Sequence, residues 1–303
     1  MQLDHMKEKL DSFFGINRLD KDPAFSRFLP MVYDPLQFRW QDKFEADFNH
    51  RFNGLMISGS QEVETIYLAV FPTDEVIRQF IEDASEGDLL FMHHPIPMEC
   101  GDPRGNWGRG FVPIPTELID RVIERKLSVY TCHAPLDYNR EVGTSDAIAE
   151  ALEAQIIDEF CKYGNGYAGL ICKTRSTSTK ELIARLLALF EIPYVDFEGK
   201  EHEEISRIAI IAGCGDVVSD MKYAASLGAQ AYITGEIHCH IDNDYGRQRY
   251  RVMMDYVQET PMSLIGLSHA ASEFFVMKTQ MKRWLEKEVT SNIKLLRQRK
   301  WWF

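Results

Sequence analysis

The sequence has no apolar stretch of the length a bilayer-spanning helix needs, about 20 residues. It has no excess of basic charge either: 34 Lys and Arg stand against 46 Asp and Glu, a net charge of −12. That balance argues against general affinity for nucleic-acid backbones or anionic membranes. There is no CxxC pair. Cys100, Cys132, Cys161, Cys172, Cys214 and Cys239 are scattered, and in a chain of 303 residues they read as reduced thiols rather than a disulfide framework or a Cys-rich zinc site. No internal repeat of fixed period and no low-complexity tract is present. The opening MQLDHMKEKLDSFFGINRLDKDP lacks the apolar core of a signal peptide, so a cytoplasmic location is expected. The one concentrated basic segment, KLLRQRKWWF, sets Lys294, Arg297, Arg299 and Lys300 before three aromatics and is expected to be a solvated helix end or a partner contact.

What the chain does have is alternation. The first fifty residues are rich in Asp, Phe and Arg, with helical patches and no clean strand. From about Glu64, TIYLAVF reads as a buried strand and TDEVIRQFIEDA as a helix with Thr73 at its N-cap. DLLFMHH (strand), a Gly/Pro-rich loop over 95–115, TELIDRVIERK (helix), LSVYTCH (strand) and GTSDAIAEALEA (helix) follow. A middle section over 158–204 offers a strand in AGLICKT and a helix in STKELIARLLALF. Then come RIAIIAGCGD, VVSDMKYAASLG, AQAYITGE and PMSLIGLSH, again strand and helix in turn, and a long amphipathic helix in AASEFFVMKTQMKRWLEKEV. This is the signature of an α/β protein with a largely parallel sheet flanked by helices.

In open α/β sheets, functional groups gather beyond the carboxyl ends of the strands. Those positions hold His93 and His94, His133 with Asp137 four residues on, Glu236 with His238 and His240, and His269 with Glu273. Six of the nine histidines therefore fall at four strand ends, where random placement would scatter them. Each piece alone is weak: one buried His is usually a hydrogen-bonded core residue, HxxxE on a helix is common, and Asp137 beside Pro135 can simply shape a turn. Convergence is what changes the reading. His269 and Glu273 are i and i+4, so they share one helical face. Three imidazoles (His93, His94, His269) and two carboxylates (Asp137, Glu273) suit Zn, Fe, Mn, Co or Ni and are poor for Ca, which prefers oxygen. Five ligands exceed a four-coordinate catalytic site with an open position. They fit two divalent ions of the kind held about 3.5–4 Å apart in hydrolytic enzymes. HCHIDND is either an ordinary polar loop or a second, weaker metal candidate. GDPRGNWGRG lacks the GK[ST] ending of a phosphate loop and opens into no helix; it is expected to be a flexible surface or lid loop, with Arg104 and Arg109 available to a substrate phosphate.

The order of FNGLMIS, HHP after an apolar strand, TCHAPLD, AGCGD, AYITGEIHCH and SHAASE resembles the NGG-interacting-factor-three-like family of dinuclear metal proteins, also called type 2 GTP cyclohydrolase I. The likeness runs from about Asn53 to about Lys282. It implies a two-lobed α/β architecture of mixed, mostly parallel sheets, with subunits assembled into a toroidal homohexamer. The expected domains are a first lobe over 51–140 plus 245–303 carrying the metal ligands and a second lobe over 141–244, with a helical N-terminal extension over 1–50 that departs from the family, as does the 98–111 loop. The family's ligand pattern falls on His93, His94, Asp137, His269 and Glu273. Its other recurring site positions fall on His133, Glu236 and His240, expected to orient ligands, line the substrate pocket or relay protons. Two departures stand out: Phe71 where the family usually has Asp at the end of its first strand, and Ala134-Pro135-Leu136-Asp137 where it has Thr-Asn-Leu-Asp. The expected function is dinuclear metal-dependent hydrolysis of a small nucleotide-like or phosphate-bearing molecule. The alternative is a non-catalytic metal-binding ring or scaffold for metal storage, delivery or partner regulation.

Overall fold

Alternating apolar runs and amphipathic helices assemble, in a computed structural model that describes residues 1–302, into two units, each with its own sheet. The first comprises Met1–Met98, Phe111–Leu136 and Met277–Arg299; the second comprises Glu99–Gly110, Asp137–Val276 and residues 300–302.

In the first unit, β1 (Gly54–Ile57), β2 (Thr65–Ala69), β3 (Leu89–Met92), β6 (Ser128–Thr131) and β13 (Asn292–Leu295) form a sheet in the order β1-β6-β3-β2-β13. All pairs are parallel except β1 with β6. Two crossover helices, Asp74–Asp83 and Thr116–Glu124, connect β2 to β3 and β3 to β6. Thr73 caps the first of these, its Oγ1 accepting from Val76 N at 3.3 Å. Alternate strand residues serve opposite faces. Tyr67, Ala69, Leu90, Met92 and Val129 join a core with Phe25, Leu29, Tyr33, Trp40, Phe44, Phe48 and Phe52. On the other face Tyr130 donates to Asp11 Oδ1 at 2.8 Å, and Phe91 lies beside Phe14, which holds the helix Leu3–Phe14 in place. The first fifty residues are thus integral to this unit's core, not an appendage. A short ribbon, β4 (Met98–Glu99) with β5 (Gly110–Phe111), brackets the 98–111 loop.

The second unit holds β7 (Gln155–Tyr163), β8 (Gly166–Thr177), β9 (Asp196–Gly199), β10 (Ile205–Ile211), β11 (Ala231–Thr234) and β12 (Ser263–Gly266), ordered β7-β8-β10-β11-β12-β9. The β10-β11-β12 centre is parallel and the flanking pairs are antiparallel. Residues 245–276 therefore belong here rather than with 51–140, because β12 is hydrogen-bonded between β11 and β9.

Two elements differ from expectation. The basic tail is not a helix end: β13 adds to the sheet beside β2, and Arg299 pairs with Glu75 at 2.6 Å; Phe303 lies outside the described residues. The long C-terminal helix is broken, with a π-helical turn over Met277–Met281 dividing His269–Val276 from Lys282–Glu288. No helix among the described residues is long and apolar enough to cross a membrane.

Candidate metal centre

In the first unit β3 runs directly into His93 and His94, and β6 leads through Cys132 to His133. The three imidazoles each offer a nitrogen within 4.8 Å of the others, and all three side chains are buried. His93 Nδ1 lies 2.8 Å from Cys132 O. A carbonyl can only accept, so Nδ1 carries the proton and Nε2 keeps its lone pair for an electrophile. His133 is fixed by a residue from far upstream: its Nδ1 is 3.0 Å from Asp22 Oδ2. Carboxylate–imidazole pairs of this form set the tautomer and orientation of metal-binding or proton-transferring histidines. Asp22 also accepts from Ala24 N and Phe25 N, both at 2.9 Å, and from Asn53 Nδ2 at 3.1 Å. Asn53 completes the lattice by accepting from His133 N at 2.7 Å. Burial alone would raise the Asp22 carboxyl, but the His133 charge and these hydrogen bonds outweigh it and hold it well below the usual carboxylate range. Phe25 and Phe71 meet the His94 ring edge-on, at 5.2 and 4.5 Å between centroids. Phe71, where the family usually has Asp, is thus an apolar wall.

The second unit gathers His269, Glu273, Glu236, Cys100 and Cys214. The helix His269–Val276 opens at Ser268, a non-glycine residue with φ 81°. That conformation is held by Ser268 N donating to Gly235 O at 2.8 Å and by Ser268 Oγ accepting from Ala271 N at 3.2 Å. Backbone held off its preferred basin is common where a side chain must be aimed. His269 Nε2 lies 2.9 Å from Glu273 Oε1, and Nδ1 lies 3.7 Å from Glu236 Oε1. Burial would depress the imidazole, but the two carboxylates more than reverse this and push its pKa up to about 10. Without an ion the group is therefore an imidazolium, and the cluster already holds one positive charge between two negative ones. Glu236 is pulled below the usual range: burial opposes its charge, but contact with His269 and hydrogen bonds from Cys100 and Cys214 win. The Cys100 thiol, buried and beside Glu236, is raised well above its ordinary value, and its sulfur lies with Glu236 and His269 in a group that could hold a metal ion. Asp137, at the end of the short helix Ala134–Asp137, accepts from Thr144 Oγ1 at 3.0 Å.

The glycine turn AGCGD proves essential to this geometry. Gly213 has φ +70°, and a Cβ there would overlap Glu273 Oε1 and His269 Nε2. Gly213→Ala is expected to cost about 1–3 kcal/mol from left-handed strain and overpacking. Urea titration measures the loss, and the bound-metal content falls with it because Glu273 must move aside.

Other expectations are redistributed. His240 packs against Trp107, His238 and Tyr250. Burial and the neighbouring His238 hold it down to about 4, so it is neutral near pH 7. The GDPRGNWGRG loop is pinned rather than lid-like, since Gly101 N and Gly108 N both donate to His240 O, at 2.9 and 2.7 Å. Its arginines have partners: Arg109 grips Glu99 with two nitrogens, and Arg104 lies over the Tyr194 ring at 3.8 Å.

Buried His, Glu and Asp clusters at the strand ends can hold metal ions, and the donor set fits divalent transition metals. A model of the Duf34/NIF3 (NGG1p interacting factor 3) family matches residues 43–299. The chain belongs to this family. Among NIF3-type relatives, a GTP cyclohydrolase 1 type 2 homolog of Pyrococcus abyssi is 28% identical over 241 residues, covering 78% of this chain and 85% of that protein. Another of that name, from Archaeoglobus fulgidus, is 28% identical over 190 residues, 61% of this chain and 69% of that one. Two solved structures share the NIF3 fold: ybgI, a protein of unknown function (TM-score 0.68, 16% identity, 99% of this chain and 100% of that one), and reduced HcgD from Methanocaldococcus jannaschii (TM-score 0.64, 19% identity, 98% of each). Asp22 lies upstream of the matched span, which is why no family motif flags it.

Proposed function

We propose that this NIF3-family protein is a dinuclear metal-dependent hydrolase acting on a small nucleotide-like or phosphate-bearing substrate. His93, His94, Asp137, His269 and Glu273 are the ligands. The observation that supports this reading is the gathering of buried imidazole and carboxylate side chains at the strand ends, with His269 between Glu273 and Glu236, a donor set of the kind that holds divalent transition metals. When bound, a pair of divalent ions supplies Lewis acidity and brings a water toward neutral pKa. The chain's own part is positional. The Cys132 carbonyl fixes the His93 tautomer, Thr144 turns Asp137, and Gly213 leaves room for Glu273. Glu236 props His269, and His133, oriented by Asp22, accepts the proton. His240, neutral at working pH, is a lining residue in this scheme.

The relatives' name makes GTP the first substrate to try, and the family likeness makes a ring of six copies the expected assembly. The test loads protein with Mn²⁺, Fe²⁺ or Zn²⁺ and presents GTP, other nucleotides and phosphodiesters. Turnover that appears with metal and disappears on chelation is the expected result. Tight metal retention with silence across the panel would instead favour a metal-holding scaffold.

A further inference from the structure

The loop after β11 carries a histidine that the scheme above does not use. The His238 side chain is 3% exposed, and neither ring nitrogen makes a hydrogen bond to any described residue. Leaving a polar group in that state costs on the order of 1–3 kcal/mol, which calls for a compensating partner. His238 Nε2 faces two carboxylates, Asp196 Oδ2 and Glu198 Oε1, each at 3.6 Å. These two acids are i and i+2 on β9, so they project from the same face of the strand at the sheet's edge.

The spacing is informative. A proton shared between imidazolium and carboxylate draws nitrogen and oxygen to about 2.7–2.9 Å. Donors about 2.0–2.2 Å from a tetrahedral ion lie instead about 3.4 Å from one another. At 3.6 Å the three groups are spaced as ligands rather than as hydrogen-bond partners, and all three donor atoms lie within 4.8 Å of each other.

The surroundings support a built site. The His238 ring is held edge-on by His240 and at a tilt by Tyr250, with centroids 4.6 and 4.9 Å away. Asp196 stands opposite Gly266 in the β12–β9 ladder, where a Cβ would come within 3.1 Å of the Asp196 Cβ; glycine there gives the aspartate its place. Burial raises the Asp196 carboxyl, attraction to His238 partly offsets this, and repulsion from Glu198 adds to the rise. Both acids keep an open side toward solvent, with side chains 17% and 27% exposed, so a hydrated ion has a way in.

We propose that Asp196, Glu198 and His238 form a mononuclear divalent-cation site of the Zn²⁺, Mn²⁺ or Fe²⁺ class, additional to the five ligands assigned above. Water fills its remaining positions. The ion fastens edge strand β9 to the GEIHCH loop, and thereby steadies Glu236 two residues from His238. None of the five dinuclear ligands takes part, so the two assignments stand or fall separately.

The experiment strips full-length protein with chelator, dialyses it against Zn²⁺ and counts bound metal per chain by elemental analysis. It uses wild type, His238→Ala, Asp196→Asn and Glu198→Gln, each also in a Glu273→Ala background, with circular dichroism as the check on folding. Each of the three changes is expected to remove one equivalent in both backgrounds. In folded wild type, added Zn²⁺ is expected to shift the His238 ring-nitrogen resonance. Asp196→Asn and Glu198→Gln preserve shape, so they report even if His238→Ala fails to fold. Unchanged metal content in those two variants, or an unmoved His238 resonance, overturns the site and leaves His238 as an ion-pair partner only. Failure of the dinuclear reading looks different: Glu273→Ala would then lose no metal while the His238-dependent equivalent persists.

Discussion

Replacing Asp22 with Ala lowers the unfolding free energy by about 3–5 kcal/mol, because several buried donors lose a shared acceptor at about 1–3 kcal/mol each. The carboxylate is 2% exposed and receives five protein hydrogen-bond donors: the backbone N–H groups of Ala24, Phe25 and Ala134, Asn53 Nδ2 and His133 Nδ1. Truncation leaves the backbone N–H groups of Ala24 and Phe25 and the His133 ring without their acceptor. Asp22→Asn keeps the shape but not the charge. It is expected to lose about 1–3 kcal/mol, the penalty for a mismatched buried polar contact. Denaturant titration followed by fluorescence of Trp40, in the same unit, measures both. The effect is also chemical: freed from Asp22, the His133 ring no longer has a fixed tautomer, and its ring-nitrogen NMR signals should move toward an equal mixture. A stable Asp22→Ala protein with unaltered His133 signals would show that the pair is incidental.

That pair also marks where the sequence stops being legible. His93, His94, His133 and His269 could be found because each terminates an apolar run that only a buried strand explains, and the periodicity places its end. Asp22 could not, because it lies 111 residues from His133 in a segment without strand pattern, and only folding brings them together. β9 and β13 were hidden for a related reason. DFEG and NIKL are short, polar edge strands, with patterns set by their neighbours rather than by a buried face. The hairpin of β7 and β8 did leave a trace, the two-residue Gly164-Asn165 turn, which is a recognised hairpin signal. The grouping of residues 245–276 depended on which strands β12 pairs with, and pairing order is not written in any single segment. The 98–111 loop looked mobile from its glycines. Instead Gly101 allows close backbone approach to His240 and Gly108 to Glu99.

Glu273→Ala is expected to abolish metal-dependent turnover, a loss of at least about a thousandfold if the ions contribute several kcal/mol to the barrier. The reasoning starts from its geometry. Glu273 is buried, one helical turn beyond His269, with Oε1 2.9 Å from Nε2, and Gly213 has no side chain so that the carboxylate can lie there. Glu236 is on the Nδ1 side of the same ring, held by the Cys214 thiol at 3.2 Å. Alanine therefore deletes a carboxylate that the proposed site assigns as a ligand. Glu273→Gln separates charge from shape, since the amide fills the same volume but cannot offer a second negative charge to an ion pair. Both variants should retain the fold, because His269 keeps Glu236 as a counter-ion and the helix keeps its Ser268 cap. Elemental analysis should then show metal lost in Glu273→Ala and weakened in Glu273→Gln, with turnover following metal content in both. Full metal content with no turnover would move Glu273 from ligand to proton-transfer residue. Undiminished turnover in the alanine variant would remove the metal-dependent hydrolase reading altogether.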